Sequence, residues 1–335
     1  MMFTGSDSDQ YFIRATTKAA TRVAMKINIC TGYSLDSPKG NTVTAKRIEH
    51  LLREAGHDVT AMHTDSPPPA DVQICLHAFK TAAASISFGE QCPDGRLFVF
   101  LTGTDLHGGV EQRPELANRV LDLAERLIVA QPACLSDIPN QWRSKTTVIY
   151  PSIELPDLLT VETPQVPLFT NVGHLREVKN PHLMYRALQT IPDSCRAVSL
   201  GVALERVEGQ QALLHQRKDE RYRWRDDCDR PKALAWMKNS VATINSSFSE
   251  GGANTVLEAI QLGVPVLASD VPGNRGFLGD DYDGYFASDD AVGLASLMRR
   301  CMTDRDFRNH LIEQIADRRP LFTSDSETKA WLKLL

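Results

Sequence analysis

Residues 241–260 read VATINSSFSEGGANTVLEAI. The run at 241–245 is short, apolar and β-branched, the pattern of a strand buried on both faces of a sheet. Gly251 and Gly252 then let the chain turn, and from Ala253 the residues take helical spacing. A second apolar run at 264–268 follows Gly263. Strand, glycine turn, helix and strand in this order make a βαβ unit, which belongs to a parallel sheet.

The same alternation extends in both directions. Apolar runs at 168–172 and 196–200 precede the quoted stretch, and an earlier set lies at 27–30, 59–62, 72–76, 97–101, 127–129 and 148–149. Between them the clearest helix carries Ile48, Leu51, Leu52 and Ala55 at i, i+3, i+4, i+7 spacing, with Gly56 placed for a left-handed cap. A proline-bearing stretch at 151–167 breaks the pattern. The reading is α/β: two Rossmann-like domains, 25–165 and 166–320, facing across a deep cleft. A last helix at about 320–335, with Ala330, Trp331, Leu334 and Leu335 on its apolar face, is expected to pack back on the first domain. A chain of 335 residues agrees with two domains.

Composition excludes several classes. Hydrophobic residues at 42% and charged residues at 24% are ordinary for a globular chain. A net charge of -5 gives no basic field for nucleic acid or an anionic membrane, so neither is expected as a partner, and no protein partner is inferred. Seven scattered cysteines without a CxxC pair fit a reducing cytoplasm and supply no structural zinc site. No apolar run approaches the ~20 residues that span a bilayer. Residues 1–24 are polar and small, and are expected to be a disordered extension before a functional start at Met25. Arg14, Lys18 and Arg22 also fit a transit peptide, against which Asp7 and Asp9 stand.

Ligands of open α/β sheets bind beyond the carboxyl ends of the strands. There the quoted stretch places Glu250, Gly251, Gly252, Ala253, Asn254 and Thr255, with Glu258 about two turns into the helix. Glycines admit close approach of a ligand, and the free N–H groups of a helix start hold anionic or hydroxyl oxygens. Two carboxylates so spaced suit the hydroxyls of a sugar and a ribose. The same spacing would also arise if Glu250 capped the helix and Glu258 paired with a neighbouring cation. After the 168–172 run come Gly173, His174, Arg176 and Lys179, cations positioned for a diphosphate or, more plainly, solvated charges at a helix start.

On the first domain, Gly40 and Asn41 open a helix after the first strand. His77 and Lys80 follow the third apolar run, and Thr102, Gly103, Thr104 and Asp105 follow the fourth. Strand-end position makes them candidates for an acceptor. A satisfied loop histidine and a turn-capping aspartate are the alternatives. No Asp-x-Asp stands at a strand end, so no metal and no cofactor are expected; leaving-group charge falls to Arg176, Lys179 and the helix dipole.

Glu250-Gly-Gly, Glu258-Ala, Gly263-Val-Pro-Val and the segment 269–276 resemble the nucleotide-sugar site of family-4-like GT-B glycosyltransferases with two glutamates in an E-x7-E signature. That resemblance implies Glu250 on the hexose, the glycine turn through Thr255 on sugar and phosphates, and Glu258 on the ribose. His174 stands where an arginine is usual, with Arg176 two residues on, so either could meet the diphosphate. The runs LHAFKTAAASI (76–86), LTGTDLHGG (101–109), VGHLREVKNP (172–181), RYRWRDD (221–227) and EGGANTVLEAIQLGVPVLASDVPGNRGFLGDDYDGYF (250–286) are similar to the selenosugar synthases of selenoneine biosynthesis. Arg225-Asp226 and Arg275 depart from that pattern. The likeness implies a cytoplasmic enzyme moving GlcNAc or Glc from a UDP-sugar to selenophosphate, with Asn274 of the GNRGFLG turn on the acceptor side. An activated selenium anion needs alignment in a cationic pocket more than a strong base. A hydroxyl-acceptor transferase, a UDP-sugar epimerase and a noncatalytic nucleotide-sugar binder are the other readings.

Overall fold

In a computed structural model the described residues are 23–37, 40–106, 112–191 and 195–335, without the side chain of Thr104. The expected extension lies outside them through residue 22. Two six-stranded sheets form, every paired strand parallel. The first contains β1 (Lys26–Thr31), β2 (Asp58–Met62), β3 (Val72–Leu76), β4 (Arg96–Phe100), β5 (Arg126–Val129) and β6 (Thr146–Val148), in the order β2-β1-β3-β4-β5-β6. The second contains β7 (Leu168–Val172), β8 (Arg196–Leu200), β9 (Tyr222–Arg225), β10 (Ala242–Asn245), β11 (Val266–Ser269) and β12 (Tyr285–Phe286), in the order β12-β11-β10-β7-β8-β9. Strand order therefore reverses between β1 and β3 and between β7 and β10. Each reversal opens a crevice at the carboxyl ends, where α/β proteins bind ligands.

Both faces of the first sheet are covered. Ile27, Ile29, Ile74 and Phe98 pack on one side, while Cys30, Cys75, Leu97 and Val99 pack on the other. This is why the strands read as apolar runs and not as alternations. Edges behave differently. β9 has the sequence YRWR with only Tyr222 fully buried, and β12 is two residues long. Neither was expected from apolar runs, because an edge strand exposes one flank and tolerates arginine there. The fifth strand of the second sheet also begins two residues later than its apolar run. Pro265 accepts from the Thr243 N–H but has no N–H to donate, so the ladder starts at Val266.

The chain returns to the first domain at its end. A helix at Ser324–Leu334 buries Trp331 completely among Ile48, Leu52, Phe98 and Phe100, with the Phe100 ring centroid 6.5 Å away. Arg96 donates to the carbonyls of Leu334 and Leu335 at the helix end. Glu327 accepts from Arg47 Nε at 3.0 Å and from both the N–H and the hydroxyl of Ser152 at 2.6 Å. A second contact joins the domains near the cleft. A Cβ on Gly276 would stand 1.8 Å from Oε1 of Gln131, so the backbone of the helix Pro272–Leu278 abuts the Gln131 side chain in the loop after β5. Among the described residues no helix is long and apolar enough to cross a membrane.

Replacing Trp331 with alanine removes the anchor of the returning helix. Truncating a fully buried tryptophan costs about 3–5 kcal/mol. Chemical denaturation of Trp331→Ala is expected to show a loss in that range, whereas Lys333→Ala, on the last turn of the same helix, should leave the midpoint nearly unchanged.

Candidate active site

Glu250 lies in the loop between β10 and the helix Asn254–Leu262, at the β7/β10 crevice. Its side chain is only 5% exposed, so the carboxylate needs partners. Lys179 Nζ approaches its two oxygens at 2.6 and 2.8 Å, the Ser247 hydroxyl donates at 2.6 Å, and Asn245 Nδ2 donates at 3.3 Å. Lys179 comes from the loop after β7, and the Ser246 hydroxyl donates to the carbonyls of Lys179 and Asn180, fixing that loop against β10. Glu250 therefore does not cap the helix. Ala253 occupies the N-cap without any side-chain hydrogen bond, and the Thr255 hydroxyl donates instead to the carbonyl of Val172.

A further layer holds this loop. Asn274 is completely buried and donates to the carbonyl of Ser269 at 2.9 Å and to Oδ1 of Asn245 at 3.3 Å. The Ser269 hydroxyl donates to the carbonyl of Ser247 at 2.6 Å. A Cβ on Gly273 would sit 1.9 Å from the carbonyl oxygen of Glu250. The expectation that Asn274 meets an acceptor is corrected: without exposed surface it supports Asn245, which in turn supports Glu250. Asn245, Ser247 and Ser269 were not picked out in the sequence, although a cluster of small polar residues at a strand end marks such a network.

Glu258 faces the cleft and pairs with Arg230, whose Nε stands 2.7 Å from Oε1. Burial pushes its carboxyl above the usual range, and the Arg230 guanidinium pulls it back only in part. Arg230 Nη2 also donates to the carbonyl of Glu154 in the segment between the domains. His174 and Arg176 both lie exposed on the rim, with Arg176 Nε 3.7 Å from Glu205.

A cavity of about 180 Å³ brings first-domain candidates Gly40, Asn41, Thr102 and Gly103 opposite Gly251, Gly252 and Asn254. A larger one of about 460 Å³ adjoins it and is lined by Glu258, Arg230, Ser152 and the helix Gly40–Glu54. His77, Lys80 and Asp105 line neither. His77 sits at φ +82 with Nδ1 2.6 Å from Asp105 Oδ1, and both side chains are buried. Asp105 Oδ2 accepts from the N–H and hydroxyl of Thr102, so this pair shapes the Thr102–Gly103 turn from behind. Lys80 is exposed; its ammonium lies over the Tyr33 ring and donates to the Tyr33 hydroxyl. The expected convergence of His77, Lys80 and Asp105 on the cleft is thus replaced by backbone and small side chains. Among the described residues no group of three or more His, Cys, Asp or Glu is placed to hold a metal ion.

Residues 161–318 match the family model described as glycosyl transferases group 1. Glycosyltransferase 1 domain-containing protein 1 of Xenopus tropicalis is 24% identical over 307 residues, covering 82% of this chain and 87% of that protein. D-inositol 3-phosphate glycosyltransferase of Xylanimonas cellulosilytica is 27% identical over 150 residues, 43% of this chain and 36% of that one. Among solved structures, sucrose-phosphate synthase of Thermosynechococcus elongatus superposes with a TM-score of 0.76 at 15% identity, covering 92% of this chain and 98% of that one. Anabaena HepE, in complex with UDP-glucose, gives 0.72 at 15% identity, covering 92% and 99%. The matched residues 161–318 carry Lys179, Glu250 and Glu258, and the chain as a whole has the two-domain GT-B fold.

Proposed function

We propose that this protein is a glycosyltransferase that uses a UDP-sugar as donor and selenophosphate as acceptor, giving a 1-selenosugar. The donor half of the reading rests on the Lys179–Glu250 pair at the β7/β10 crevice, beside a helix start with no side-chain cap. A carboxylate there accepts hexose hydroxyls, while an ammonium and free N–H groups meet phosphate oxygens. The solved HepE and trehalose-6-phosphate proteins of the same fold hold UDP-glucose and UDP-2-fluoro glucose respectively, which supports a UDP-sugar as the donor. The acceptor half rests on the resemblance of the runs at 76–86, 101–109, 172–181, 221–227 and 250–286.

In this reading selenium forms a bond to the anomeric carbon as the bond from that carbon to the β-phosphate oxygen breaks, and UDP leaves with the electron pair. Lys179 stabilises the leaving diphosphate. Water then cleaves the selenium–phosphorus bond and releases phosphate. Selenophosphate is already a strong nucleophile, which suits a cleft from which His77 is withdrawn, buried behind the turn. A hydroxyl acceptor is the second reading, favoured by the largely uncharged first-domain lining of Gly40, Asn41, Thr102 and Gly103.

Incubation of the protein with UDP-N-acetylglucosamine or UDP-glucose, with and without selenophosphate, separates these readings. UDP release and a selenium-bearing sugar that both require selenophosphate are expected by mass spectrometry. UDP release with hydroxyl acceptors alone would replace selenophosphate in the proposal, and binding of UDP-sugar without turnover on any acceptor would reduce the protein to a binder. Lys179→Ala should lower turnover by roughly 100- to 1,000-fold with a smaller change in KM, the signature of a group acting on developing charge. Gly273→Ala, which must displace the Glu250 backbone, should lower kcat by about tenfold to 100-fold in steady-state assays.

A further inference from the structure

The two cavities share two residues, Arg47 from the first domain and Asn254 from the second. Arg47 stands on the cleft face of the helix Gly40–Glu54: Gly40 and Thr44 on that face line the smaller cavity, and Val43 and His50 line the larger. Its side chain is 20% exposed, and its Nε is bound to Glu327 at 3.0 Å. Nη1 and Nη2 make no hydrogen bond among the described residues. A guanidinium with its stem and Nε fixed, and with its two terminal nitrogens uncommitted, is prepared to take two oxygens of an anion such as a phosphate.

What passes this point follows from the proposed donor reading, on which the inference rests. Glu258 lies in the larger cavity and Gly251 and Gly252 in the smaller. A nucleoside diphosphate sugar with its ribose at Glu258 and its hexose at the glycine turn has one portion between them, the diphosphate. That portion must cross the junction between Arg47 and Asn254.

We propose that Arg47 is a diphosphate-binding residue supplied by the first domain, gripping across the cleft a nucleotide that the second domain holds. Because Glu327 anchors Arg47 and also receives Ser152 in the chain between the domains, the grip is built on the segment where the domains meet. No other first-domain candidate for the ligand brings a cation to both cavities, since Lys80 lies on Tyr33 outside them.

Isothermal titration of the full chain with UDP and with uridine at fixed ionic strength tests this. Arg47→Gln should weaken UDP by about 10- to 100-fold, the loss of a charge-assisted contact, and leave uridine within about twofold. Arg47→Lys should recover part of the loss. The double variant Arg47→Gln, Glu327→Gln removes the buried carboxylate left unpaired by the single change, and should show the same selective loss for UDP if Arg47 meets phosphate. Equal loss for UDP and uridine, or UDP binding unchanged in Arg47→Gln and in the double variant, would overturn the assignment. Failure of the unaltered protein to bind UDP would instead overturn the donor reading beneath it.

Discussion

A carboxylate held almost out of water governs the second domain. Burying an ionised side chain costs several kcal/mol unless charge and hydrogen bonds are supplied nearby, and Glu250 receives Lys179, Ser247 and Asn245 together. Those three come from the loop after β7, from the turn after β10 and from the end of β10 itself. Bringing them within hydrogen-bond reach requires the reversed strand order that puts β7 beside β10. It also requires Gly273 at the backbone of Glu250 and Asn274 beneath Asn245. The fold and the site are therefore one constraint seen from two sides.

A comparable carboxylate sits where the domains join. Glu327 lies on the last helix yet is satisfied by Arg47 of the first helix and by Ser152 of the chain leaving the first domain. Three segments distant in sequence converge on one side chain, and Trp331 one turn on seals them with apolar burial. Such a junction holds the first helix through Arg47 on its cleft side, beside Gly40 and Thr44 of the smaller cavity.

Much of this was legible in the sequence, for a physical reason. Strands covered on both faces must be apolar throughout, so the central strands of both sheets stood out, whereas β9 and β12 at the edges did not. Glu250 and Glu258 were visible because strand, glycine turn and helix are local in sequence. Their partners were not all so. Lys179 carried a local signal after its strand, but Arg230 pairs with a glutamate 28 positions away and Arg47 with one 280 away, and no local pattern encodes such contacts. The strand-end rule put His77 and Asp105 at the correct end of the first sheet. It could not reveal that they would satisfy each other and withdraw from the cleft.

The pairing of cations with carboxylates also bears on how a charged ligand would enter. Lys179 rests on Glu250 and Arg230 on Glu258, so both carboxylates are already largely desolvated before anything binds. A ligand bearing hydroxyls and a diphosphate would exchange partners: its hydroxyls donate to the carboxylates while its phosphate oxygens take the cations. Such an exchange replaces one set of charge-assisted contacts by another and avoids stripping bare ions of water, which is the costly part of assembling a polar site. A neutral sugar without the phosphates could take the carboxylates but would leave Lys179 and Arg230 without their counter-charge. Selectivity for an anionic ligand over a neutral one then follows from the ion pairs themselves.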